Sequence, residues 1–401
     1  MAVKNLGHIF CMDIPDLTLY NGGEKIVVFE ICDSDWNVVN SFSETYYVES
    51  HLPPNDFCKL RNIGQLIKPY LNPIPLEGDW TLLSDGADIL YDLSVNVRIK
   101  HYDEGSIGGD PYEIYEFTAY YADVKTNRER ANFSPNIGFL SRYDWKERQI
   151  NINQKVLVSF FHRSVNTKFY LGVAYMQNGV ARYKEVDLKL PTEGRYFMTT
   201  LYAFDAETVL HDLQYAFAEC SSVTVDDLIY FTVNLNTTDP GTEYEYLTGC
   251  IKYMLDRRYF PQEKHILFYN SFGVWETLVL RGRDERTTQM EATHVWIDDK
   301  YRKNTTELVT SHAHNTGFLS DVDHDVVLDL VNSPHVYLYD GEDVGDEITI
   351  TEFEDTTTFP REEPMNAKIT YRLADKQRRF DFRYRHDDVP VFDKTFDESF
   401  E

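Results

Sequence analysis

The stretch Phe169-Tyr170-Leu171-Gly172-Val173-Ala174-Tyr175-Met176-Gln177-Asn178-Gly179, returning through Val186-Asp187-Leu188-Lys189-Leu190, decides the fold class. Phe169, Leu171, Val173 and Tyr175 alternate with smaller or more polar residues up to Asn178-Gly179. Val186, Leu188 and Leu190 alternate away from it. A period of two puts one face of an extended strand in a core and the other in water. Asn-Gly supplies the positive φ angles that a two-residue hairpin turn requires. The stretch predicts a β-hairpin.

The same pattern recurs outward from it. From Ile89 to His101, Ile89, Tyr91, Leu93, Val95, Val97 and Ile99 alternate with Asp92, Ser94, Asn96, Arg98 and Lys100, which predicts one long strand. Further strands are expected at 25–31, 38–48, 112–121, 155–161, 229–235, 249–255, 265–269, 274–280, 335–339, 347–353, 369–373 and 379–385. Helices are few. Asn62–Lys68 is a short one stopped by Pro69, and Glu207–Ala218 places Val209, Leu213, Ala216 and Phe217 near helical spacing. The clearest is 321–331, with Val322, Val326, Val327 and Leu330 on one face. Ser320 is its cap, Asp321 and Asp323 suit the positive end of its dipole, and Asn332-Ser333-Pro334 ends it.

These elements predict a mainly β protein of two or three antiparallel sandwich or barrel domains with a few short helices. The domain boundaries are expected near residues 150 and 262, giving 1–150, 151–261 and 262–401. Composition agrees: 14% of the 401 residues are aromatic, including 28 Tyr and 25 Phe, which favours sheet surfaces.

The balance of 39 Lys+Arg against 66 Asp+Glu, a net charge of −27, argues against gripping DNA or RNA, whose phosphates would be repelled. Mean hydropathy is −0.44 and no apolar run is long enough for a membrane helix. The opening Met1-Ala2-Val3-Lys4-Asn5-Leu6 begins no long apolar signal region, so secretion is not expected. Five widely spaced cysteines, Cys11, Cys32, Cys58, Cys220 and Cys250, form neither a disulfide framework nor a zinc motif and read as isolated thiols.

Several constellations invite a chemical reading. Ser311-His312-Ala313-His314 with Asp321, Asp323 and His324 is the densest set of metal-ligand types. Its plainer reading, a polar loop before the capped helix, is preferred because no second ligand pair has diagnostic spacing. Tyr112, Tyr115, Tyr120 and Tyr121 suggest a glycan-binding face, but Glu113, Glu116 and Asp123 between them fit an ordinary half-buried strand. Arg281, Arg283 and Arg286 are offset by Asp284 and Glu285 and read as a turn of mixed charge. The basic run Arg378, Arg379, Arg383 and Arg385 follows an acidic stretch from Glu342 to Asp355. The two are expected to pair within the fold or across neighbouring subunits. There is no nucleophile elbow, phosphate loop or dinucleotide fingerprint. No catalytic, cofactor-binding or metal-binding residue is assigned, and no enzyme activity is expected.

Three stretches carry a resemblance. The first is Glu24-Lys25-Ile26-Val27-Val28-Phe29-Glu30-Ile31, with Asp35-Trp36-Asn37 and Glu44-Thr45-Tyr46-Tyr47. The second is His265-Ile266-Leu267-Phe268-Tyr269-Asn270-Ser271-Phe272-Gly273-Val274-Trp275-Glu276-Thr277, on to Arg281-Gly282. The third is Asn315-Thr316-Gly317-Phe318-Leu319, then Ser333-Pro334-His335-Val336-Tyr337-Leu338-Tyr339-Asp340-Gly341. Together they resemble a family of virion proteins of tailed phages and prophages of Bacteroidetes-type hosts, the crAss-like phages among them. The resemblance implies a structural tail component of the tail-hub or distal-tail kind, with no catalytic residues. The expected partners are copies of itself in a homo-oligomeric ring and other tail or connector proteins. DNA is expected only in transit during ejection, and no membrane insertion is expected. The expected location is the virion tail, after synthesis in the host cytoplasm. A glycan- or host-surface-binding β-module is the alternative.

Overall fold

The computed structural model describes residues 2–20, 23–33, 35–48, 57–71, 88–90, 94–103, 110–122, 138–163, 167–190, 197–238, 244–297, 300–339, 344–355 and 366–374. Over these the protein is mainly β, built of several sheets with three short α-helices.

The N-terminal sheet has the order Ala2–Phe10, Glu113–Tyr120, Ser94–Asp103, Gly23–Cys32, Val38–Val48. Val27, Phe29, Ile31, Val97, Ile99 and Phe117 alternate into its core, which the helix Ile63–Ile67 covers with Ile63 and Ile67. Gly64 in that helix admits no side chain, because a Cβ there would come within 1.8 Å of the Cys11 carbonyl oxygen. The helix ends in a 3-10 turn, Lys68–Tyr70, that accommodates Pro69 in its first turn.

Two sheets face each other in the middle of the chain. One has the order Lys146–Asn151, Glu245–Asp256, Leu228–Thr238, Thr167–Gln177, Val180–Leu188. The other has the order Asp88–Leu90, Phe197–Phe204, Val156–Arg163, Gly138–Phe139. Aromatic rings interleave between them, Phe160 against Phe169 at 4.6 Å and Phe204 against Phe231 at 6.1 Å between centroids. The hairpin forms as expected, with Asn178 and Gly179 at φ of 52° and 75°. The helix Ala206–Ala216 closes one end, capped by Asp205 and buried through Val209 and Leu213.

The C-terminal sheet has seven strands, in the order Trp275–Leu280, Lys264–Tyr269, Val336–Tyr339, Val344–Asp355, Ala367–Leu373, Lys300–Asn315, Asp284–Ile297. The helix Asp321–Asn332, with Ser320 as its cap, packs Val326, Val327 and Leu330 into the core. That core is continuous from Phe139 to Tyr371, so the middle and C-terminal sheets share it.

Four expectations are corrected. The run Ile89–His101 is two strands in different sheets, Asp88–Leu90 and Ser94–Asp103, because alternation reports burial and not sheet membership. Pairing is not antiparallel throughout. Ala2–Phe10 runs parallel to Glu113–Tyr120, and Lys146–Asn151 parallel to Glu245–Asp256; each pair is far enough apart in sequence for a parallel return. Ser311–His314 is not a loop but the end of the strand Lys300–Asn315, and Asp284–Arg286 is not a turn but the start of the strand Asp284–Ile297. Both strands lack an apolar face, which is why alternation misses them. Residue 150 lies inside the strand Lys146–Asn151, whose partner ends at Asp256, and residue 262 lies between two sheets. The strand expected at 379–385 and the arginines Arg378 to Arg385 lie outside the described residues.

Candidate functional site

The residues singled out in the sequence disperse. His312 stacks on Tyr371 and meets the Asp284 carboxylate at 3.1 Å. His314, two residues on along the same strand, is fully buried. Its two ring nitrogens face the Asn315 and Gln262 carbonyl oxygens at 2.9 and 2.8 Å, so both are directed at backbone oxygens of the chain itself. Asp323 completes the helix capping box with Ser320 and accepts a 2.5 Å hydrogen bond from Tyr143. His324 pairs with Asp355 at 2.7 Å. Among the described residues, no group of three or more His, Cys, Asp or Glu is placed to hold a metal ion. Tyr115 and Tyr120 are buried, whereas Tyr112 is exposed, so the four tyrosines do not share one face. Of the acidic stretch, Asp346, Glu347, Glu352, Glu354 and Asp355 lie exposed on the strand Val344–Asp355.

The deepest polar cluster was not visible in the sequence. Arg148 and Glu276, 3% and 2% exposed, meet at 3.5 Å. Arg148 also donates to the Thr277 carbonyl and lies over the Tyr143 ring at 4.6 Å. Glu276 accepts from Asn270 at 2.8 Å and Ser141 at 3.1 Å, and burial pushes its carboxyl above the ordinary range against the pull of Arg148. Beside it Arg142 grips Asp329 with two hydrogen bonds of 2.8 and 2.9 Å, and Ser271 donates to the same carboxylate at 2.9 Å. The only sequence signal is Glu276 itself, a lone carboxylate in the apolar run Ile266–Leu280.

This cluster ties the segment 141–148, the turn 270–274 and the helix Asp321–Asn332 together. A half-open cleft of about 440 Å³ lies over it, lined in part by Tyr121, Arg142, Ser271, Asp329 and Asn332. Its charged side chains are already paired with one another, and the Ser141 and Ser271 hydroxyls donate to the carboxylates of those same pairs. As built, the cluster is a joint.

The surface is more informative than the cleft. The edge strand Val180–Leu188 carries Arg182, Lys184, Glu185 and Asp187, the usual protection against foreign strands. The edge strand Val38–Val48 carries one charged residue, Glu44, and exposes Val38 and Val39 by 49% and 71%. Strands Asp284–Ile297 and Lys300–Asn315 pair along their whole length, from Asp284 opposite His314 to Ile297 opposite Lys300. The rest of the sheet touches only the base of this hairpin, where His312–Asn315 pairs with Lys368–Tyr371. Beyond it, Thr287, Thr288, Gln289 and Met290 are exposed in succession, while Thr310, opposite Thr288, is buried. At about 3.3 Å per residue, the eleven residues Thr287–Ile297 reach about 35 Å from the sheet.

No family model matches the chain, and no curated protein matches it.

Proposed function

We propose that the chain is a structural subunit of a phage tail, a hub or ring component that assembles into an oligomer around a channel for DNA. The observation that carries this reading is the hairpin arm Asp284–Asn315. A two-stranded ribbon that joins the rest of its sheet only at the base is marginal in water, and a partner surface would complete it. The weakly protected edge Val38–Val48 adds a second place for a neighbour's strand. The three stretches that resemble phage tail proteins supply the biological setting. Copies of the chain and other tail or connector proteins are the partners, and the virion tail is the location.

In this reading the work is geometric. The net charge of −27 keeps the channel wall from binding DNA, because phosphates find no cations and release no counterions. Electron microscopy of purified particles labelled on this chain tests it. A ring in the tail supports the reading, and a chain absent from particles overturns it.

One observation favours the second reading, a glycan- or surface-binding module. On the outer face of the sheet containing Thr167–Gln177, Gly172 leaves room for Tyr183, whose hydroxyl meets Thr232 at 3.2 Å. Tyr170 and Tyr230 project from the same face. Specific binding on a glycan array, lost in Tyr183→Ala and Tyr230→Ala, would favour this module over the ring.

A further inference from the structure

We infer that a protonated His314 pins the base of the hairpin arm to the segment before the C-terminal sheet, and that loss of its second ring proton loosens that base. This holds whether or not copies of the chain form a ring.

His314 is fully buried near the end of the strand Lys300–Asn315, opposite Asp284 on one side and Ile369 on the other. Its Nδ1 meets the Asn315 carbonyl oxygen at 2.9 Å and its Nε2 the Gln262 carbonyl oxygen at 2.8 Å. A carbonyl oxygen only accepts, so each of these hydrogen bonds needs a proton on the ring. A neutral imidazole carries one proton and makes one of the two bonds; the imidazolium makes both. With one proton gone, a ring lone pair faces a carbonyl oxygen in a site closed to water, a contact that nothing there compensates.

Gln262 is the other half of the pin. It takes the His314 ring on its backbone oxygen and the Asp284 amide on its side-chain oxygen at 3.1 Å, so one residue holds both strands of the arm's base. The Asn315 carbonyl that takes Nδ1 also accepts the Gly282 amide at 3.0 Å. Release of the ring frees one strand of the base from Gln262 while the ladder inside the arm stays paired.

The charged and titratable groups around the ring are engaged elsewhere. Asp284 on the opposite strand pairs with His312 at 3.1 Å, and Arg286 lies opposite His312. Tyr371 stacks on His312, and Glu263 meets His265 at 3.5 Å. Arg281 bonds to Gln149 and Asp256, while Arg283 and Lys368 pair with Glu285. The two carbonyls are what the ring nitrogens of His314 meet.

The test follows the ring proton and the arm's base together. In the full chain carrying isotope-labelled histidine, the ring nitrogens are read by NMR; His314→Gln identifies the signals of this ring, and circular dichroism checks its fold. Backbone hydrogen exchange, corrected for its intrinsic pH dependence, is read at 284–286 and 312–315 from about pH 5.5 to about pH 8.5, across the ordinary histidine range. At about pH 5.5 both ring nitrogens of His314 should carry protons, and protection of the two segments should fall at least about tenfold as the second proton leaves. His312→Asn should keep that fall, which separates the buried ring from the His312–Asp284 pair. A single protonated nitrogen at about pH 5.5, or protection that stays flat up to about pH 8.5, overturns the pin. Should His314→Gln fail to fold, the exchange profiles decide: a flat wild-type profile, or a fall that disappears in His312→Asn, overturns it.

Discussion

Two hairpins sit in different relations to the rest of the molecule. Thr167–Leu188 buries Phe169, Leu171, Val173 and Tyr175 completely or nearly so, and its first strand is also paired on the far side with Leu228–Thr238. Asp284–Asn315 pairs with the rest of its sheet only at its base, and Thr287–Met290 just beyond that base are exposed. The first owes its stability to its own chain. The second has no second neighbour beyond its base, which in the function proposed above leaves that length for a partner.

The largest contrast is in packing. Phe169→Ala should cost about 3–5 kcal/mol in chemical denaturation, because its ring lies between Phe139, Phe160 and Tyr202 in a closed core. Thr288→Ala in the arm should stay within about 0.5 kcal/mol. Equal losses would break the distinction between the hairpins. A similar loss, about 3–5 kcal/mol, is expected for Glu276→Ala, since it strands Arg148 as a buried cation. Little change there would mean that the joint between segment 141–148 and the C-terminal sheet is not held by its charges.

Smaller effects sharpen the picture. Gly179→Ala should cost about 1–2 kcal/mol, because the turn needs φ near 75°. Ser320→Ala should cost about 1 kcal/mol by removing the side-chain acceptor for the Asp323 amide. The smallest effect is in pH dependence. Arg258 hydrogen-bonds Asp256 and holds its carboxyl below the usual range. The stability this gives is present above the ordinary carboxylate pKa and lost as pH falls through the lowered folded value. Asp256→Asn should therefore flatten the acid limb of an unfolding curve while leaving its slope near pH 8 unchanged.

What the sequence showed and what it hid follow the same line. The Asn178-Gly179 turn, the strand Gly23–Cys32 and the capped helix Asp321–Asn332 were legible because burial of one face writes a period into the residues. The arm was not, since Thr287-Thr288-Gln289-Met290 serves no core and has no period to show. Arg148 and Glu276 were hidden for a different reason. They lie about 130 residues apart in sequence, and only the fold brings them together. The arm on which the proposed assembly rests therefore sits where local sequence is least informative about structure.

The central claim is that the arm exists for assembly and not for folding. Its most direct test is to replace Thr288–Thr310 with a two-residue Asn-Gly turn and measure mass by light scattering beside the wild-type chain. The account predicts an assembling wild-type chain and a monomeric, equally stable variant. A variant that assembles as the wild type does, or that unfolds because the arm is gone, would contradict it.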